Sequence, residues 1–201
     1  MVQTSRPREQ SAPLSVAGEA GDCDPQPEIR IDIVADDGAW GEIKALTTLV
    51  ETAAAAVAAA PEIAQRMPAR VYEAAVVLSS DQQVAALNGQ YRGITKPTNV
   101  LSFPAPRGPM APGAGRSEPV ALGDIVLADA TIFAEARELG ILPAHHLQHL
   151  IVHGLLHLVG YDHIEVDDAE VMESLETRIL ASLGVDDPYA GRDLVDDQAA
   201  D

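Results

Sequence analysis

The stretch HLIVHGLLHLVGYDH, residues 149–163, holds four of the six histidines of the chain. On a helix, His153 and His157 are four residues apart and lie on one face, about 6 Å apart along the axis. Gly160 predicts the end of this helix, because glycine accepts the left-handed conformation of a C-terminal cap. The chain then turns back and brings His163 to the same point. Three neutral imidazoles with an open fourth position are typical of a catalytic zinc site, so we predict one zinc ion per chain.

The spacing of these histidines and the glycine also matches the metzincin protease pattern, with one difference. Those proteases carry glutamate, the general base, directly after the first histidine, and this chain has Gly154 there. The residues therefore predict a similar metal cradle without the peptidase base. The alternative, histidines that satisfy one another within an apolar helix, is less favoured for three histidines at this spacing.

Two neighbours of the predicted ligands allow more than one interpretation. His149 lies one turn before His153 and is a hydrogen-bonding partner of the site, a side chain that points into the cleft, or a partly buried helix histidine. Asp162 either orients an imidazole, as carboxylates do around metal ligands, or caps the next helix.

Outside this stretch, the apolar pattern predicts strands and helices in mixed order. Ile29, Ile31 and Ile33 alternate with polar residues, which is typical of a half-buried strand. The predicted strands cover residues 28–34, 70–79, 99–103 and 121–128. The predicted helices cover residues 41–60, 81–92, 129–139, 143–159 and 166–183. Without a regular βαβ alternation, the pattern favours a single α+β domain with a small mixed sheet of about four strands packed with helices.

Local signals predict where the first two helices begin and end. Pro61 is expected to stop the first helix, since proline lacks the amide proton that the helix needs. Ser80 or Asp81 is expected to cap the second helix. Gln83 follows Ser80 by three residues, which is the spacing of a capping box. Gly93, together with Gly89, is expected to break this helix.

The two ends of the chain and one internal segment lack an apolar pattern. We predict a disordered N-terminal tail over residues 1–27, a domain over residues 28–184 and an acidic disordered tail over residues 185–201. Residues 104–119 contain five prolines and three glycines. They are expected to form a mobile loop within the domain.

Composition excludes several classes of protein. The 201 residues are 47% apolar but only 3% aromatic, and 13 basic against 31 acidic side chains give a net charge of −18. This balance argues against a protein that coats DNA or an anionic membrane. The single cysteine, Cys23, excludes a disulfide framework and a zinc site built from several thiolates. Without an apolar leader segment, we expect a soluble cytoplasmic protein.

Three blocks of the sequence resemble one known family. HGLLHLVGYDH, residues 153–163, resembles the signature of the YbeY endoribonuclease family of rRNA maturation factors. LNGQYRGITKPTNVLSFP, residues 87–104, is similar to the second characteristic stretch of that family, and LGDI, residues 122–125, to a third. The blocks occur in the order of the family, and the resemblance covers residues 28–184.

The resemblance implies a zinc ion held by His153, His157 and His163 in an α+β domain. It implies cleavage of single-stranded RNA in rRNA maturation, including processing of the 16S rRNA 3′ end, and in ribosome quality control. The implied partners are ribosomal RNA and ribosomal subunits or ribosome-associated proteins, with no role for DNA or membranes. Arg92, which matches the functional arginine of the second block, and His153 are the implied catalytic residues. Asn99 stands where many members have aspartate.

The implied chemistry needs an activated nucleophile and compensation of phosphate charge. Zinc lowers the pKa of bound water and polarises a phosphoryl oxygen, and the Arg92 guanidinium can bind phosphate in a bidentate way. Three classes of function stay open at this point. They are a metal-dependent endoribonuclease, a zinc hydrolase of another substrate such as peptide, and a noncatalytic ribosome-assembly module with structural zinc.

Overall fold

The computed structural model of the protein describes residues 26–68, 70–106 and 118–190. Its four strands are β1 (Glu28–Ala35), β2 (Val71–Ser79), β3 (Val100–Pro104) and β4 (Val120–Ala128). Its six α-helices are α1 (Leu46–Ala59), α2 (Pro61–Arg66), α3 (Asp81–Arg92), α4 (Asp129–Leu139), α5 (Pro143–Leu158) and α6 (Val166–Ser182). A single turn of 3-10 helix, Trp40–Glu42, precedes α1.

The strands form one mixed sheet in the order β1-β2-β4-β3. β1 and β4 both run parallel to β2, and β3 pairs antiparallel with β4 at the edge. The isoleucines that alternate in β1 pack on the main core together with α1 and α5. On the other face of the sheet, Val84 of α3 packs with Leu101, Val126 and Ala128 in a smaller apolar cluster. The predicted α+β class with a four-stranded mixed sheet is therefore confirmed.

Gly123 of the LGDI block lies in β4 at a point where the neighbouring strand β3 comes very close. Its φ of +129° suits glycine alone, and an added Cβ would lie 2.1 Å from the carbonyl oxygen of Phe103. The register between β2 and β4 also shifts at this level, between Glu73 and Ala74. The glycine therefore lets the edge strand β3 lie close to β4, at the level where the pairing of β4 with β2 on its other side is irregular.

The first helix ends before Pro61 as predicted, but it begins at Leu46 and not at residue 41. Pro61 is also the first residue of α2, where a missing amide proton costs nothing, so it starts a helix as well as ending one. The predicted capping box at Ser80 does not form, because Gln83 accepts a hydrogen bond from the Ser79 hydroxyl instead. α3 continues through Gly89 and ends at Gly93, whose φ is +74°.

The predicted tails and loop lie partly outside the described residues, namely over 1–25, 107–117 and 191–201. Residues 185–190, assigned to the acidic tail from sequence, contact the domain. Val185 is buried, and the Tyr189 hydroxyl donates a hydrogen bond to Glu176 of α6. The folded domain therefore extends past the predicted boundary at residue 184. Among the described helices, none is long and apolar enough to cross a membrane.

Helix α5 packs directly against strand β4 at Gly154. A Cβ at this position would lie 2.9 Å from Cδ1 and 3.0 Å from Cγ2 of Ile125, a fully buried residue of β4. The residue after the first predicted ligand therefore faces the core, and a glutamate has no space there.

We expect Gly154→Val to lower the free energy of unfolding by about 1–3 kcal/mol, because the added side chain would overpack the core at Ile125. The midpoint of thermal unfolding should fall by about 2–4 °C for each kcal/mol. Gly41→Val is the matched control, since nothing lies within 4 Å of a Cβ at Gly41. Equal melting of the two variants would contradict the tight contact.

Candidate metal centre

Helix α5 is positioned by the core and carries the histidines on the face that the core leaves free. Pro143 lies in its first turn, and the helix packs against α1, α4, α6, β3 and β4. Leu147, Ile151 and Leu155 are fully buried on its inner side. His153 and His157 are half-buried and share one outer face, as the spacing of four predicts.

The turn after α5 brings the third histidine to the other two. Gly160 has a φ of +94°, and the Tyr161 amide donates to the Leu156 carbonyl at 3.0 Å. The ring centroid of His163 lies 5.4 Å from that of His153 and 5.0 Å from that of His157. One ring nitrogen from each histidine lies within 4.8 Å of the others. The predicted turn and the predicted convergence are both present.

Hydrogen bonds select which nitrogen of each imidazole carries the proton. Nδ1 of His153 lies 2.7 Å from a carboxylate oxygen of Glu176, which can only accept. Nδ1 of His157 lies 3.1 Å from the carbonyl oxygen of Tyr161, which also only accepts. Both Nδ1 atoms are therefore the donors in the neutral rings. Both Nε2 atoms keep a free lone pair, and they face each other at 3.1 Å.

The surroundings of His157 favour its neutral form. Burial lowers the pKa of His157, and the neighbouring His153 and His163 lower it further. Burial of Glu176 acts to raise its pKa, but hydrogen bonds from His149 and His153 outweigh burial and lower the pKa to about 2. The carboxylate of Glu176 is thus ionised, and His157 is favoured in the neutral form that binds a metal.

The donor set fits a single zinc ion. Two nitrogens bound to tetrahedral zinc at about 2.0–2.1 Å lie about 3.3–3.4 Å apart, close to the 3.1 Å between the two Nε2 atoms. Facing lone pairs repel each other unless a cation lies between them. Within the described residues this group has three members, which leaves a coordination position for water.

A second group of possible ligands, His149, His153 and Glu176, lies beside the first. Its nitrogens donate to Glu176, at 3.2 Å from Nε2 of His149 and 2.7 Å from Nδ1 of His153. We therefore interpret it as a hydrogen-bonded support of the first group. His149 is the hydrogen-bonding partner that the sequence left as one of several alternatives. Asp162 accepts a hydrogen bond from the backbone amide of His163 at 2.8 Å and does not cap α6, which follows Glu165.

Arg92 lies away from any interaction that would define its role. It is exposed in the last turn of α3, and it forms no hydrogen bond or ion pair with other described residues. No contact in the described parts of the chain joins it to the histidines.

Asn99 belongs to a second polar network beside the site. Its side-chain amide donates to both carboxylate oxygens of Glu135, at 3.0 and 3.3 Å, and Glu135 also contacts Nε2 of His146 at 2.7 Å. An aspartate at position 99 would set two carboxylates against each other, so the amide suits this partner. Burial lowers the pKa of His146, whereas Glu135 acts to raise it.

Sequence reasoning missed Glu176 and Tyr189. Glu176 occupies a position on the apolar stripe of α6, between the buried Leu175 and Ile179. A single acid on a buried stripe is the signal that could have identified it, because buried carboxylates are costly unless they are hydrogen-bonded. Tyr189 carried no such signal, since it lies among acidic residues beyond the last helix.

The fold and the site together define a class: α+β proteins in which one helix and the turn after it gather three histidines suited to one metal ion. The family model for Endoribonuclease YbeY matches residues 35–184, and the chain belongs to this family.

Several relatives carry the same name, Endoribonuclease YbeY. The protein from Maricaulis maris is 45% identical over 163 residues, which are 81% of this chain and 93% of the relative. The one from Allorhizobium ampelinum is 48% identical over 169 residues, covering 82% and 96% of the two chains. The one from Rhizorhabdus wittichii is 50% identical over 143 residues, covering 70% and 85%. The resemblance seen in the three sequence blocks is thereby confirmed.

We expect purified full-length protein to contain about one zinc ion per chain, measured by elemental analysis after exposure to zinc and gel filtration. The variant with alanine at His153, His157 and His163 should lose it, because no three-nitrogen set is left. His145→Ala, on the same helix but outside the cluster, should keep it. Equal metal content in the triple variant and the wild type would contradict the ligand assignment.

Proposed function

We propose that the protein is a zinc-dependent endoribonuclease that cleaves single-stranded ribosomal RNA in the cytoplasm, during rRNA maturation, including the 16S rRNA 3′ end, and ribosome quality control. As a member of its family it is a nuclease that acts on RNA phosphodiester bonds. The observation that carries the metal requirement is the pair of facing Nε2 lone pairs of His153 and His157, with His163 beside them.

In this proposal, His153, His157 and His163 hold the zinc ion. Bound zinc supplies a water of lowered pKa and polarises a phosphoryl oxygen. The backbone carbonyl of Tyr161 and the carboxylate of Glu176 keep the Nδ1 protons in place and thereby keep the Nε2 lone pairs free. Arg92 binds a non-bridging phosphate oxygen of the RNA through its planar guanidinium. The resemblance of residues 87–104 to the second characteristic stretch of the family supports this role.

The two other classes of function fit the site less well. A peptidase of the metzincin kind needs a carboxylate after the first ligand, and Gly154 is packed against Ile125 there. A structural zinc site is typically closed by four protein ligands. Among the described residues, the histidine group has three.

The net negative charge of the chain does not attract RNA in general, so a partner that delivers the RNA is favoured. Residues 161–201 carry a net charge of −11, whereas residues 61–160 carry −1. Nonspecific RNA is repelled by such ends at low salt. We therefore propose that a ribosomal subunit or a ribosome-associated protein delivers the RNA.

Cleavage of single-stranded rRNA fragments by the zinc-loaded protein is the direct test. We expect cleavage by the wild type, loss of cleavage after chelation, and recovery when zinc is added back. His153→Ala should be inactive at any zinc concentration that leaves the protein folded. Cleavage by His153→Ala at the wild-type rate would overturn the proposed mechanism.

Arg92→Ala should slow single-turnover cleavage at saturating RNA by about 30- to 1,000-fold, because a contact made in the transition state is worth about 2–4 kcal/mol. Arg92→Lys should recover part of the rate, since lysine keeps the charge but loses the planar fork. Arg137→Ala is the matched control, an exposed arginine in the last turn of α4. If Arg92→Ala cleaves as fast as Arg137→Ala, the assigned role is wrong.

A further inference from the structure

Glu176 is an unusual residue for its place in the fold. It lies on α6 among the buried residues Met172, Leu175, Ile179 and Leu180, and its side chain is 0% exposed. An ionised carboxylate in such surroundings costs several kcal/mol unless its oxygens are hydrogen-bonded. An apolar residue would fill the same space at lower cost, so the carboxylate indicates a role beyond packing.

Within the described parts of the chain, three donors converge on this carboxylate, and none of them is an arginine or a lysine. Nδ1 of His153 lies 2.7 Å from one oxygen, and Nε2 of His149 lies 3.2 Å from the other. The hydroxyl of Tyr189 donates to the same oxygen as His149. Two of these donors come from α5, and the third comes from the segment after α6.

The segment after α6 is held in place by its own contacts. Val185 is buried, and Asp187 accepts hydrogen bonds from the Thr177 hydroxyl at 3.1 Å and the Tyr189 amide at 2.9 Å. The Tyr189 ring meets the His149 ring edge-on, with 5.9 Å between centroids. The turn over residues 185–190 therefore brings Tyr189 against both α5 and α6.

We propose that Glu176 and Tyr189 are positioning residues of the metal centre, with Tyr189 holding the carboxylate where it accepts the Nδ1 proton of His153. This inference rests on the proposed metal site. With the proton kept on Nδ1, Nε2 of His153 faces His157 with a free lone pair. The residues 185–190 then belong to the metal centre, although they lie beyond the last helix.

A purely structural role would give a different result. If Glu176 only joins α5 to α6, its replacement lowers the melting temperature of the metal-free protein and leaves the zinc affinity of the folded fraction unchanged. If it positions His153, its replacement lowers zinc affinity and changes the protonated nitrogen of His153 as well.

The test uses the full-length protein and two measurements, zinc affinity by competition with a chelating dye and ¹⁵N NMR of the imidazoles in the metal-free state. We expect Glu176→Gln to weaken zinc binding about 10- to 100-fold, as for other partners of metal-ligating histidines. Tyr189→Phe should weaken it about 2- to 10-fold, the value of one hydrogen bond. In both variants the fraction of His153 protonated on Nδ1 should fall.

Matched controls and a double variant separate the mechanism from general damage. Glu170→Gln removes an exposed carboxylate from the same helix, and Tyr91→Phe removes an exposed hydroxyl, so both should bind zinc as the wild type does. Since Tyr189 acts through Glu176, the double variant should bind zinc no more weakly than Glu176→Gln alone. If Glu176→Gln does not fold, Tyr189→Phe decides the question by itself.

The outcomes distinguish this inference from the proposed function. If the wild type binds no zinc, or if His163→Ala binds it equally well, the proposed metal site is wrong and the inference falls with it. If the wild type binds zinc through His163 but Tyr189→Phe and Glu176→Gln match their controls in affinity and in the NMR signals, the inference alone is overturned.

Discussion

The close contact between helix α5 and strand β4 is the constraint on which the site depends. Gly154 lies against the fully buried Ile125, where an added Cβ would lie 2.9 Å from Cδ1, so the glycine allows α5 to pack close to the sheet. Leu147, Ile151 and Leu155 occupy the core on the same side of the helix. The face with His149, His153 and His157 is therefore turned toward α6 and the following turn. The packing of α5 in the core therefore also sets the orientation of the three imidazoles.

Hydrogen bonds then determine which ring nitrogen of His153 and of His157 carries the proton. His153 and His157 each donate from Nδ1 to an acceptor that has no proton of its own, the Glu176 carboxylate and the Tyr161 carbonyl. The same tight turn at Gly160 that delivers His163 also supplies that carbonyl. One local feature of the backbone thus places a ligand and orients its neighbour. Under the proposed function, the protein prepares the metal site before any metal arrives, which reduces the cost of binding.

The distribution of charge places limits on the substrate encounter. The first turn of α6, which follows His163 in the chain, carries Asp167 and Asp168, and the carboxylate of Asp162 accepts a hydrogen bond from the His163 amide. These groups repel a phosphate backbone, so a bound cation and the guanidinium of Arg92 would be the attractive elements for RNA in the proposed mechanism. Under the proposed function, such a site would discriminate against random RNA and favour RNA that is presented by a partner.

The sequence by itself determined the elements whose signals are local. The alternation of Ile29, Ile31 and Ile33 identified β1, and the spacing from His153 to His163 with Gly160 between them identified the three converging histidines, because a helix and a glycine turn have geometries that need no distant partner. Only the tertiary structure decided the strand order, the start of α2 at Pro61, the isolation of Arg92 and the burial of Glu176 beneath Tyr189. Each of these features depends on contacts between residues that are distant in the sequence. A local pattern of residue types does not specify which distant surfaces pack against each other.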